Sequence, residues 1–151
     1  MDKLDQYREA VLRLALERAD IRIPNSSLEH AKTLIEIMIS NTHSDEDIYI
    51  YSGDLPKDVY EPWLSTTRAR KIHILHDGES DPPWLKPITD SRNNISVNKI
   101  GKPRKNHFLC TTGNFFRFET DPEKYTAEAN FNEPDVVKKL IAAHNRYSQG
   151  A

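Results

Sequence analysis

His107-Phe-Leu-Cys-Thr-Thr-Gly-Asn-Phe-Phe-Arg-Phe-Glu119 reads as two β-strands, 107–112 and 115–119, joined by Gly113-Asn114. A Gly-Asn pair supplies the positive-φ residues that a two-residue hairpin turn needs. Alternation along the second strand sends Phe116 and Phe118 to one face and Phe115 to the other. Aromatic residues on both faces describe a sheet covered by helices on two sides.

Working outward, Asp47-Ile-Tyr-Ile-Tyr-Ser52 and Lys71-Ile-His-Ile-Leu-His76 have the β-branched and aromatic alternation of strands. Residues 95–100 form a third. Between the first two, Gly53-Asp54-Leu55-Pro56 turns into a short helix around 58–64, limited by Pro62. Residues 79–94 hold Pro82, Pro83 and Pro87 and read as an ordered loop with one turn of helix. Upstream, residues 2–19 place Leu4, Tyr7, Val11, Leu14 and Ala15 at helical spacing, and Ile21-Arg22-Ile23-Pro24 breaks that helix. Ser26 and Glu29 form a capping box for a second helix, whose apolar face of Leu28, Ala31, Leu34, Ile35, Met38 and Ile39 stops near Asn41. Downstream, Asp121-Pro122-Glu123-Lys124 turns the chain back into 126–131. A last helix opens at Asn132-Glu133-Pro134, with Pro134 where a missing N–H costs nothing. Val136, Val137, Leu140, Ile141 and His144 face inward. The order is helix, helix, then β-α-β-β-β-β-α, so the expected class is α/β (α+β) with a mixed sheet flanked by helices.

The chain has 151 residues, 37% hydrophobic and 29% charged, with a formal net charge of -2. That length suits one domain, and 9% aromatic residues with several apolar runs exclude a solvating tail. The longest uncharged apolar run lies within 35–39, far below the ~20 residues of a membrane span. No secretory signal opens the chain, and one cysteine, Cys110, excludes an internal disulfide framework. The cytosol is the expected compartment, with no membrane association.

Charge is uneven. Residues 45–61 hold Asp45, Glu46, Asp47, Asp54, Asp58 and Glu61 against Lys57, whereas 99–105 hold Lys99, Lys102, Arg104 and Lys105 with no acid. Such asymmetry bears on partners rather than on fold. The six histidines show no i, i+4 pair of a zinc helix, and His73 and His76 point to opposite strand faces, so no metal centre is expected. There is no Walker loop, dinucleotide fingerprint or nucleophile elbow, so no cofactor is expected.

His107 opens a strand directly after the basic turn Lys102-Pro103-Arg104-Lys105. Over residues 28–147 the element order, this histidine-led hairpin, Ala129-Asn130-Phe131 and Asn132-Glu133 before the last helix resemble a single domain of the phospholipase D-like superfamily. That superfamily is defined by a histidine, a lysine two later and an aspartate five beyond that. Here Leu109 stands at the lysine position, Asn114 at the aspartate position, and Ala127-Glu128 replace the Gly-Ser before the usual Ala-Asn-Phe. The resemblance implies an N-terminal helix and linker over 1–25 and the half-domain over 26–151. It implies His107 as nucleophile or acid/base, Glu133 to orient an imidazole, and Asn130 as a phosphate ligand. Lys102, Arg104 and Lys105 stand beside them as binding residues. Phosphoryl transfer relies on positioned positive charge, and losing one preorganised donor costs roughly 3–4 kcal/mol of transition-state stabilisation.

The expected function is therefore a catalytically degenerate binding or assembly module for an anionic ligand such as nucleic acid or a phosphate ester. By the same resemblance it pairs as a homodimer or with a related chain. One alternative is a metal-independent phosphodiesterase or nuclease using His107 in a dimer. Another is a small inhibitor or immunity-type protein that binds a basic partner through its acidic surface.

Overall fold

In a computed structural model, which describes residues 2–150, Asp2 caps the first helix, α1 (Lys3–Glu17), by accepting from the Asp5 amide at 2.8 Å. Arg18 ends α1 in the left-handed region at φ 48°. From there its guanidinium forks onto Glu46 (2.7 and 3.0 Å) and donates to the Gly113 carbonyl at 3.0 Å. Burial opposes ionisation of Glu46, but Arg18 and the His43 amide outweigh it and hold the carboxyl below its ordinary range.

The remaining elements are β1 (Ile23–Asn25), α2 (Leu28–Ser40), β2 (Asp47–Ser52), α3 (Lys57–Leu64), β3 (Lys71–His76), α4 (Lys86–Ser91), β4 (Ile95–Lys99), β5 (Phe108–Thr111), β6 (Phe116–Asp121), β7 (Thr126–Asn130) and α5 (Pro134–Ser148). All seven strands form one sheet in the order β1-β7-β6-β5-β2-β3-β4. The β2–β3 and β3–β4 pairs are parallel and the others antiparallel, so the class is α+β with a mixed sheet flanked by helices.

Side-chain alternation gives the sheet two apolar faces. Ile48, Ile50, Ile72, Ile74, Leu109 and Phe115 pack in one core with α1, α2 and α3, to which α2 contributes Leu34, Ile35, Ile37, Met38 and Ile39. Each such burial contributes about 1.5–3 kcal/mol. Tyr51, Leu75, Phe108, Cys110 and Phe116 pack in the other with Val137 and Leu140 of α5. His144 of α5 is buried there too, its Nε2–H donating to the Ile50 carbonyl at 3.0 Å.

Several local readings are corrected. The segment expected only to break the first helix contains β1, an edge strand paired with β7, and Pro24 faces outward there, where no ladder N–H is needed. β1 thus ends at Asn25, and α1 packs on α2. Ser27, not Ser26, caps α2, because Ser27 is the extended residue whose hydroxyl accepts from the His30 amide at 3.2 Å. Residues 79–94 hold more helix than one turn, a 3-10 turn (Pro83–Leu85) leading into α4. The 111–115 hairpin has a three-residue loop in which Asn114 takes φ 73°. Gly113 serves a different need: a Cβ there would fall on the Glu46 carboxylate and the Arg18 guanidinium.

Candidate functional site

Where parallel strands end and the chain crosses to the far side of the sheet, a crevice opens outside the strand carboxyl ends, and open α/β sheets bind ligands there. Here β2 continues through α3 to β3 on one side, whereas the chain leaving β4 crosses to β5 on the other. The crossing segment is the basic loop 99–105. Tyr51, near the end of β2, fixes it. Its hydroxyl accepts from the Arg104 amide at 2.8 Å, and its own O–H donates toward Asp77 Oδ1 and the Arg104 carbonyl, each 3.0 Å from the phenol oxygen. Burial pushes this phenol up to about 12, so it stays protonated. The Arg104 guanidinium lies over the Tyr147 ring at 4.8 Å, which ties the loop to the end of α5. Lys99, Lys102 and Lys105 are exposed.

His107 follows directly. Its ring stands edge-on to Tyr51, with centroids 5.1 Å apart. Nδ1 lies 3.5 Å from Glu119 Oε1 and Nε2 lies 4.0 Å from Asp77 Oδ2. Glu119 also meets Arg117 Nη1 through its second oxygen at 3.3 Å. Burial opposes ionisation of Glu119, but His107 and Arg117 outweigh it and hold the carboxyl below its usual range.

Gly53 allows this packing. A Cβ there would meet His107 Cε1 at 2.9 Å, Nε2 at 3.1 Å and Asp77 Oδ2 at 3.3 Å. Gly-to-Ala changes gain about 0.4–1 kcal/mol where the backbone permits, but overpacking costs about 1–3 kcal/mol. The second effect wins. Gly53→Ala is expected to lower stability by about 1–2 kcal/mol and to shift the His107 ring resonances in NMR spectra; unchanged resonances would mean the imidazole is not held there.

Arg117 is the residue that sequence reading missed. It sits on β6 opposite Leu109, on the α2 side of the sheet, and is 4% exposed. Its Nε donates to Asn25 Oδ1 at 2.7 Å, whereas Nη2 is buried with no hydrogen-bond partner among the described residues. A buried, unanswered donor on a charged group costs more than the ~1–3 kcal/mol of a neutral one. Arg117 lines a cleft of about 220 Å3 with Ser52, Tyr60, His107, Glu119 and Tyr125. The apolar wall comes from Leu28, Ala31 and Ile35 of α2 and Val59 of α3. The alternation that sends Phe116 and Phe118 to the α5 side sends Arg117 and Glu119 to the α2 side. Two charges on a core-facing strand were the available signal.

The expected constellation divides. Lys102, Arg104, Lys105 and His107 gather at one end of the sheet, but Asn130 and Glu133 lie at the other. The reason is strand direction. Both β5 and β7 run antiparallel to β6, so a residue before β5 and the last residue of β7 are separated by about 10 Å along the strands. Asn130 is fully engaged, donating to Asp20 Oδ1 (2.9 Å) and Glu133 Oε1 (2.8 Å) and accepting from the amides of Ile21 and Asn132. Glu133 is gripped by Arg22 at 2.5 Å, which holds its carboxyl below the ordinary range. Neither reaches the His107 ring. Leu109 is 2% exposed in the core, so its position supplies no cation.

Two other clusters are already occupied by structural contacts. Donor atoms of His43, Asp45 and Glu46 lie within 4.8 Å of one another, but both Glu46 oxygens answer Arg18. Along the acidic stretch, Asp47 pairs with Arg70 at 2.8 Å and Asp58 with Lys32 at 2.7 Å, so part of its charge is answered within the chain.

No protein-family model and no curated protein matches the chain. Among solved structures it is similar to TrmBL2, an archaeal chromatin protein described as showing a novel mode of DNA binding. The two superpose with a TM-score of 0.62 at 14% identity, over 95% of this chain and 59% of TrmBL2. The chain thus spans less than two thirds of TrmBL2's length, and the likeness is one of fold. No helix among the described residues is long and apolar enough to cross a membrane.

Proposed function

We propose that the chain is a phosphate-backbone-binding module, a degenerate phospholipase D-like half-domain that holds nucleic acid without cutting it. The observation behind this reading is the basic loop 99–105, pinned by Tyr51 beside His107 at the carboxyl ends of β2 and β3. Its exposed lysines suit a polyanion, since each phosphate neutralised releases counterions. The fold likeness to a DNA-binding chromatin protein supports the same ligand class. The formal net charge of -2 offers a polyanion no general attraction, so binding depends on local clusters such as this loop. Pairing with a second copy belongs to the same proposal, and sedimentation with and without DNA reads it.

A second reading keeps one observation in its favour: Glu119 faces His107 Nδ1, as a carboxylate that orients a basic imidazole does. Against it stand Leu109, the 4.0 Å approach of Asp77 to Nε2, and the commitment of Arg117 Nη1 to Glu119. Negative charge at Nε2 opposes the approach of a phosphoryl group for attack. Incubation with labelled single- and double-stranded DNA and RNA in EDTA, beside His107→Ala, separates the two. Bound, intact strands with both proteins are expected. Cleavage by the wild type alone would overturn the non-catalytic reading.

A further inference from the structure

The cleft beneath His107 calls for a different ligand from the loop above it. Arg117 and Glu119 balance each other, and the acidic side chains Asp54 and Asp77 stand near its mouth. Such a site does not favour a second phosphate. Arg117 lines it, and Nη2 of that guanidinium is buried without an acceptor among the described residues. The wall from α2 and α3 is apolar, and the volume of about 220 Å3 falls below the ~300–1,000 Å3 of sites for drug-sized ligands. That leaves room for one ring system. At the rim Tyr125 is 43% exposed, an aromatic surface open to a planar partner, and it takes φ 55°, a conformation unusual for a bulky residue.

We propose that this cleft receives a single unstacked nucleobase of a strand whose backbone follows the basic loop. A carbonyl or ring nitrogen on the base edge accepts from the Arg117 guanidinium. Glu119 is placed to accept from an exocyclic amine, and Tyr125 stacks on or beside the ring. Single strands offer such a base without the cost of unpairing, so they bind in preference to duplex. This inference rests on the backbone-binding reading for its polymer, but the cleft chemistry does not depend on the lysines.

Fluorescence anisotropy with a labelled single-stranded DNA 12-mer, and with an abasic strand of equal length, tests it. Wild type is expected to bind the base-bearing strand at least about ten-fold more tightly, the scale of one stacking contact. Tyr125→Ala, which leaves the core untouched, and Ala31→Met, which fills the cleft from α2, are each expected to bring the two strands to equal affinity. Binding to the abasic strand should not change. Equal affinity of wild type for both strands would overturn the proposal.

If neither strand binds, the backbone reading fails separately. Thermal unfolding with millimolar guanosine or cytidine then decides the cleft. A rise in Tm that Ala31→Met abolishes supports it, and no rise overturns it.

Discussion

Replacing Lys99, Lys102 and Lys105 together by glutamine is expected to weaken nucleic-acid binding roughly a hundred-fold at ~0.1 M salt. Each lysine that meets a phosphate contributes about 0.7 to the logarithmic salt slope on single strands and about 0.9 on duplex, so losing three should flatten the slope by ~2–3. All three side chains are exposed, and the loop's anchors, Tyr51 and the Arg104 backbone, are left in place. Stability should therefore change little. The comparison protein is Lys3→Gln/Arg13→Gln/Lys71→Gln, which removes the same charge at exposed positions outside the loop. If both triple variants lose affinity equally, binding follows overall charge and the loop is not the interface.

Acid should destabilise the fold before the carboxylates titrate, and His144 is the reason. Burial beneath the sheet pushes its pKa down to about 4, and its neutral ring donates to the Ile50 carbonyl. In the unfolded chain a histidine takes a proton near pH 6.5. Between those values the unfolded chain binds the proton and the folded one does not, so stability is full above about pH 6.5 and falls as pH drops toward 4. At 1.36 kcal/mol per pH unit the loss is about 3 kcal/mol. Glu46, Glu119 and Glu133, all held below their ordinary range, add their losses only at more acid pH. His144→Gln keeps a donor near Ile50 and cannot titrate. Urea midpoints measured from pH 7 to 4.5 should fall steeply for wild type and stay nearly level for the variant. Equal slopes would place the acid sensitivity elsewhere.

What the sequence made legible was the part governed by local rules. The alternation of Asp47-Ile-Tyr-Ile-Tyr-Ser52 is β2, and the aromatic residues on both sides of Phe115–Phe116 do pack two cores. The basic loop beside His107 was legible too, because loop and histidine are adjacent in the chain. What escaped depends on pairing between distant segments. Nothing local in Ile23-Pro24-Asn25 announces a strand, since β7 supplies its register from more than a hundred residues away. Asn130 and Glu133 stand where the phospholipase D-like resemblance led one to expect site residues, yet strand direction carries them to the far end of the sheet. There they latch onto Asp20 and Arg22. Arg117 was hidden among phenylalanines; Glu119 shares its face of β6 by alternation, whereas Asn25 reaches it only once β1, β7 and β6 lie side by side.

The central claim is that one end of this sheet holds a nucleic-acid backbone. Its most direct test is the affinity of purified protein for a labelled single-stranded DNA in EDTA, measured from 50 to 300 mM salt. A straight line of log K against log salt with a slope near -2 to -3 is predicted, matching three or four phosphate contacts. No measurable binding at ~50 mM, or binding that ignores salt, would contradict the account.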